Sequence, residues 1–356
     1  MEASQRIVNR RHLAGRSIGV LPAFLGTLLF ALPCLAQAPL HPVPNIFKPL
    51  STPADEIDHL SKFVLMITGI IFVVVFTLLV YAIVKFRARA TDPAQEPPQV
   101  YGSSQIELAW TVIPALIVVI LFLASARVIH AIQDAKRPPD AVDVTAIGHQ
   151  FWWEFRYPNL GVVTANELHI PLSDPAHPTP TFLKLLSADT DHSFWVPQLN
   201  GKTELIPNRV NEMWLDPHQA GLFLGQCAEY CGTQHAKMLL RVYVDTPEAF
   251  SRWILSQQHP AIQDESVVAG RRVFETTACM NCHAIVGTPA NGRFGPDLTH
   301  LMGRATLASG AALNTRENLR LWIQDPDAIK PGSLMPAMKL SDADLDALVN
   351  YLETLH

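Results

Sequence analysis

The sequence predicts a multidomain membrane protein: a two-helix transmembrane hairpin, then an all-β Greek-key sandwich or barrel, then a small all-α domain. Three observations carry this. Two uncharged apolar runs, 63–84 and 108–125, are long enough to cross a bilayer. From Val142 short alternating runs are punctuated by Pro, Gly, Asp and Asn. From Val267 the alternation stops and helical spacing takes over. A chain of 356 residues has room for two or three domains. Its charged fraction is 17%, below the usual ~25%, which excludes disorder as the main state. A net charge of −5 offers no basic field for nucleic acid.

The first element is a targeting segment, residues 1–38. Arg6, Arg10, Arg11 and Arg16 precede an apolar run over 18–35, which ends in Ala36-Gln37-Ala38. This is the three-part pattern of a cleaved secretory signal. The competing readings are a further membrane helix, or lipid attachment at Cys34, where Pro33 is a poor neighbour. Cleavage would remove four Arg and one Glu, leaving the remainder near −8. Most of that excess lies after residue 140, and an acidic face suits a basic soluble partner.

The hairpin comes next: an exported segment 39–62, spans 63–84 and 107–128, and a cytoplasmic loop 85–106. Lys85, Arg87 and Arg89 favour that side for the loop. Lys62, Arg127, Lys136 and Arg137 stand on the other side, so charge alone does not orient the hairpin. The exported start does. It puts 139–356 on the periplasmic face of a bacterial inner membrane, in a multi-pass protein in contact with membrane lipid.

Strand candidates follow at 142–147, 151–157, 181–186, 212–215, 221–225 and 238–244 within a domain spanning 139–257. Pro247 opens a helix ending at Gln257. Residues 258–264 read as a linker. The last domain, 265–356, shows helical patterns at 267–278, 314–324 and 341–355, with Ser341 and Asp344 as a capping pair. At about 95 residues its own apolar core is marginal, so a large apolar cofactor would supply much of it.

Two motifs carry chemistry. Residues 227–238 read Cys-Ala-Glu-Tyr-Cys-Gly-Thr-Gln-His-Ala-Lys-Met. Two thiols, an imidazole and a thioether form a soft ligand set that selects copper. One thiol more than a mononuclear blue-copper site needs points to a sulfur-bridged pair, with His192 as the second imidazole. A Cys227–Cys231 disulfide or a zinc site would leave Met238 unexplained. The second motif, Cys279-Met280-Asn281-Cys282-His283, is the attachment sequence of a covalent c-type haem. A thioredoxin-like pair would need a βαβ surround that is absent here.

The pattern Cys227, Glu229, Cys231, His235 and Met238 with upstream His192 resembles the binuclear CuA site of cytochrome c oxidase subunit II. The resemblance covers residues 45–257 and implies a cupredoxin barrel. Cys227 and Cys231 would bridge two coppers, His192 and His235 would each bind one, Met238 would be a weak ligand, and Glu229 would contribute its carbonyl. The Glu229 side chain would help hold Mg²⁺ or Mn²⁺ at subunit I.

The start of 107–114, Glu107-Leu-Ala-Trp110-Thr-Val-Ile-Pro114, resembles the family's second membrane helix, whose glutamate marks the entrance of a proton path. Gly148-His149-Gln150-Phe151-Trp152-Trp153 resembles the family's aromatic electron-accepting patch, with Phe151 where a Trp is usual. Trp152 or Trp153 would then substitute, unless the strand is simply packed. Residues 265–356 resemble a class I cytochrome c, with His283 and Met335 as iron ligands, Cys279 and Cys282 as covalent anchors, and Met338 and Met302 as competitors for the sixth position.

The whole resembles subunit II of a caa3-type oxidase. The resemblance implies that electrons pass from an external donor to haem c, to binuclear CuA and to haem in subunit I, where O₂ is reduced and protons are pumped. No oxygen-reducing site lies in this chain. Subunit I and subunit III are the implied partners, with a soluble cytochrome c or a quinol–cytochrome c reductase as donor. With the haem tethered by a short linker, effective concentration would replace part of the donor docking affinity. The rival reading is a membrane-anchored haem c and CuA carrier serving another reductase.

Overall fold

The computed structural model describes residues 44–87, 99, 101–174, 176–262 and 264–356. The expected signal, Cys34 and most of the expected cytoplasmic loop lie outside the described residues.

Two long helices come first, α1 (Thr52–Lys85) and α2 (Ser104–Gln133). Both overrun the apolar stretches that announced them. Thirty-four residues in α1 extend to about 50 Å at 1.5 Å per residue, well beyond a ~30 Å hydrocarbon core. The additional turns are polar and have a structural use. In α1 they bury Pro53, Ala54 and Asp58. Just before α1, the Leu50 amide donates to the Gln198 carbonyl at 2.9 Å. At the far end of α2, Trp214 Nε1 donates to the Ile132 carbonyl at 2.7 Å. The helices are therefore tied to the β domain, while their apolar middles stay exposed.

Ten strands then form two five-stranded sheets, in the orders β3-β2-β1-β5-β8 and β4-β10-β9-β6-β7. The first holds β1 (Val142–His149), β2 (Trp152–Tyr157), β3 (Val162–Ala165), β5 (Thr181–Ser187) and β8 (Asn211–Leu215). The second holds β4 (Glu167–Pro171), β6 (His192–Trp195), β7 (Thr203–Leu205), β9 (Gly221–Cys227) and β10 (Leu239–Asp245). Pairings β1–β5 and β4–β10 are parallel and the rest antiparallel. In β10, Leu240, Val242 and Val244 are buried in alternation, so one face points inward. Between the sheets lies one apolar core that includes Trp153, Phe155, Phe194 and Leu240.

The sequence reading named six strands and missed β3, β4, β6 and β7. All four are five residues or fewer, and β3 and β4 are split by Asn166, which sits at φ 63°. The predicted helix Pro247–Gln257 (α3) forms with those bounds, capped by Thr246.

The C-terminal domain holds α4 (Val268–Thr276), α5 (Cys279–Cys282), α6 (Arg316–Gln324), α7 (Pro326–Ile329) and α8 (Asp342–Leu352). A two-residue hairpin, Thr306–Leu307 with Ala312–Leu313, is added to the expected helices. Ser341 Oγ accepts from the Asp344 amide at 3.1 Å and donates to its carboxylate at 2.7 Å, so the predicted capping pair forms. The stretch read as a linker is anchored at its start and in its middle. Gln258 Nε2 donates to the Leu160 carbonyl at 2.8 Å, and the Ala261 amide donates to the Val286 carbonyl at 3.0 Å.

Candidate metal centres

The first centre grows out of strand register. In β9 the buried positions are Phe223, Gly225 and Cys227, so the inward phase ends on a thiol. Phe194 of β6 pairs with Cys227, which brings His192, two residues away on the same face, to that end of the sheet. The Cys227 amide donates to the Met238 carbonyl at 2.9 Å and closes the intervening loop. A 3-10 turn, His235–Lys237, returns the chain into β10.

The donor atoms of the motif converge. Cys227 Sγ lies 3.8 Å from Cys231 Sγ and 3.8 Å from His192 Nδ1. Cys231 Sγ lies 3.8 Å from both His235 Nδ1 and Met238 Sδ. The Glu229 carbonyl oxygen is 3.2 Å from Cys227 Sγ, while the Glu229 side chain is exposed. His192, Met238 and both cysteines are buried. The shared hydrogen bond from Cys231 pulls the Cys227 thiol well below its ordinary range and pushes Cys231 above it. One proton thus satisfies the pair, and two thiolates at this separation require cations between them. Soft sulfur beside imidazole makes that cation a copper-type one.

Sequence reading missed Asp189. Its Oδ1 accepts from His192 Nε2 at 2.8 Å, which turns Nδ1 toward the sulfurs. Its Oδ2 accepts from the Gln150 amide at 2.6 Å. Burial alone would raise the Asp189 carboxyl, but these bonds outweigh it and hold it below its usual value. For His192 burial pulls down, and Asp189 and Cys227 outweigh it and raise the ring. Gly148 makes room for that ring: a Cβ there would stand 2.8 Å from His192 Cδ2.

The second centre is a cavity of about 300 Å³ bordered by Cys279, Cys282, His283, Met335 and Met338. Burial lowers His283, keeping it neutral, and its Nδ1–H donates to the Pro296 carbonyl at 2.8 Å. Nε2 is left with a free lone pair. A Cβ on Gly295 would stand 2.4 Å from His283 Cε1, so only glycine lets the loop lie on the ring. Arg304 also borders the cavity, and its buried Nε has no partner among the described residues. An apolar lining with one buried guanidinium fits a flat apolar ring bearing carboxylates. Met302 packs against the domain's core instead of lining the cavity.

The aromatic residues separate. Trp153 is fully buried and edge-on to Phe194 at 5.7 Å between ring centroids. Trp152 stacks on His149 at 4.1 Å and borders the cavity, as does Phe151. Glu107 sits exposed in the first turn of α2, apart from both centres in sequence and in element.

Three family profiles match in chain order. "Cytochrome C oxidase subunit II, transmembrane domain" matches 43–128, "Cytochrome C oxidase subunit II, periplasmic domain" matches 175–244, and "Cytochrome c" matches 267–356. The chain is 34% identical over 298 residues to cytochrome c oxidase subunit 2 of Alkalihalophilus pseudofirmus, covering 82% of this chain and 84% of that one. It is 31% identical over 351 residues to that of Bacillus subtilis, covering 92% and 96%. Among solved structures, the periplasmic domain of subunit II of cytochrome oxidase from Bradyrhizobium japonicum matches at 26% identity and a TM-score of 0.32, covering 35% of this chain and 97% of that one.

Proposed function

The chain belongs to the cytochrome c oxidase subunit II family, and from that premise we propose the work of its individual residues. As a subunit of a haem–copper oxidase it receives electrons for the enzyme, works with the other oxidase subunits, and is a membrane protein with a periplasmic domain. Its cofactors are CuA and haem c. When bound, these supply two one-electron centres in series.

Cys227 and Cys231 would hold the copper pair through their sulfurs, with His192, His235, Met238 and the Glu229 carbonyl as the further donors. The observation that carries this is the convergence of five side-chain donor atoms through 3.8 Å separations. Asp189 fixes the tautomer and direction of His192, the task of a carboxylate behind a metal-bound imidazole. In the second domain Cys279 and Cys282 would anchor the porphyrin, and His283 and Met335 would be its iron ligands. A histidine and methionine ligand pair would suit electron transfer over oxygen binding. Arg304 Nε would be free to meet a propionate.

The remaining assignments extend this reading. α1 and α2 make two membrane crossings in contact with lipid. The exposed Glu229 carboxylate contributes to a Mg²⁺ or Mn²⁺ at subunit I. Glu107 stands at the entrance of a proton path. The donor is a soluble cytochrome c or a quinol–cytochrome c reductase, and subunit III completes the complex.

Metal analysis with optical and electron paramagnetic resonance spectra of the purified chain tests the core of this. Two coppers and one haem iron per chain are expected. Cys231→Ser should abolish the binuclear copper spectrum and spare the haem bands. Zinc in place of copper, or absent iron, would overturn the assignment.

A further inference from the structure

The two centres share a wall. Gln150, Phe151 and Trp152 belong to the β domain, yet they border the cavity that holds Cys279, His283 and Met335. The same short segment touches the copper loop. Gln150 Nε2 donates to the Cys231 carbonyl at 2.5 Å. Gly232, at φ +131°, lies so close that a Cβ there would stand 3.1 Å from both Gln150 Nε2 and the Phe151 ring. Through its amide Gln150 also holds Asp189, the partner of His192.

One side chain from the other domain closes on this segment. Lys330, five residues before Met335, is 4% exposed. Its Nζ donates to the Phe151 carbonyl at 2.7 Å and to the Ala308 carbonyl at 3.2 Å. Lysine is seldom this buried without a purpose that offsets desolvation. Around it the seam is bonded on both flanks. Lys237 Nζ donates to the Ile329 carbonyl at 2.8 Å. The buried Glu167 carboxylate accepts from the amides of Ala305 at 3.0 Å and Thr306 at 2.9 Å, and from Thr306 Oγ1 at 2.7 Å. Ser309 Oγ donates to the Leu239 carbonyl at 2.7 Å.

We propose that Lys330 is a positioning residue for internal electron transfer: it clamps the Phe151 carbonyl and so fixes the Gln150–Phe151 peptide as the common wall of haem cavity and copper loop. The haem domain is then docked in a single pose and does not swing on its linker. A freely tethered domain needs no buried hydrogen bonds to its neighbour, whereas this seam has them at Lys330 and at Glu167. Gln150 is the direct contact, bonded to the backbone of one copper-binding cysteine and forming part of the cavity wall. The proposal rests on the CuA and haem c reading above.

The test uses the full chain loaded with copper and haem. Pulsed electron paramagnetic resonance reads the distance distribution between oxidised haem iron and the oxidised copper pair. In a second measurement a photosensitiser with a sacrificial donor reduces the haem by one electron, and the haem is reoxidised as the copper pair accepts that electron. The unmutated chain should give one narrow distance. Lys330→Met strands the buried Phe151 carbonyl and the half-buried Ala308 carbonyl, which should broaden the distance distribution and slow the transfer by about tenfold, with both metal spectra kept. Gln150→Leu should leave the distance narrow, shift the copper bands and slow the transfer. An unchanged rate in both variants would overturn the proposal. If the unmutated chain lacked either metal spectrum, the underlying reading would fail and the proposal with it.

Discussion

The copper loop and the haem cavity solve the same problem by opposite means. Around copper, every donor is already in place: β-strand register and one loop closure hold two sulfurs, two imidazoles and a thioether within 3.8 Å contacts. Around haem, the protein provides an envelope of about 300 Å³ on short helices and loops. The first site is set by strand register and one loop, and the second is an envelope sized for a large cofactor. The contrast follows from size. Two ions fit within a sheet's own spacing, but a porphyrin must add to the core of a domain whose own apolar cluster is small.

The largest effect that could break this comparison comes from denying the haem its anchors. Cys279→Ala with Cys282→Ala leaves the cavity empty. The cavity of about 300 Å³ then lacks the packing that the cofactor would supply to a domain with a small core of its own. Circular dichroism and calorimetry should then show the C-terminal helices melted and the β domain intact with its copper. If the helices stayed folded, the envelope would be as preformed as the copper site.

A smaller effect sharpens the copper side. Asp189→Asn weakens the support behind His192, and copper affinity should fall by roughly 10- to 100-fold in a competition titration. No loss would mean that β6 alone orients the ring.

The smallest effect concerns the seam between the sites. Burial lowers Lys330 to about 7 from an ordinary 10.5. Between those values the unfolded chain holds the extra proton, so stability should rise with pH across that window and fall as pH drops through 7. Lys330→Met should flatten that part of the profile. Thermal midpoints from pH 6.5 to 9.5 read it.

Most of the copper site was legible as a spacing, because its donors after His192 lie in one loop of twelve residues. The haem anchors were legible for the same reason. What stayed hidden was non-local. Asp189 is one of two aspartates just before His192, and nothing in Asp189-Thr190-Asp191-His192 says which one turns back to the ring. Lys330 and Phe151 are 179 positions apart, and Glu167 and Thr306 are 139 apart. No local pattern encodes such pairs. The aromatic run read either as a patch receiving electrons from the tethered haem or as simple packing, and only the fold separates its members: Phe151 and Trp152 border the haem-domain cavity, and Trp153 sinks into the core.

By itself, then, the amino-acid order determined the architecture and the chemistry: apolar length for the helices, alternation for the sheets, and thiol and imidazole spacing for the metals. Only the tertiary structure decided how the two centres face each other. Local sequence sets dihedrals and ligand types, but the relative pose of two domains depends on buried hydrogen bonds between residues far apart in the chain.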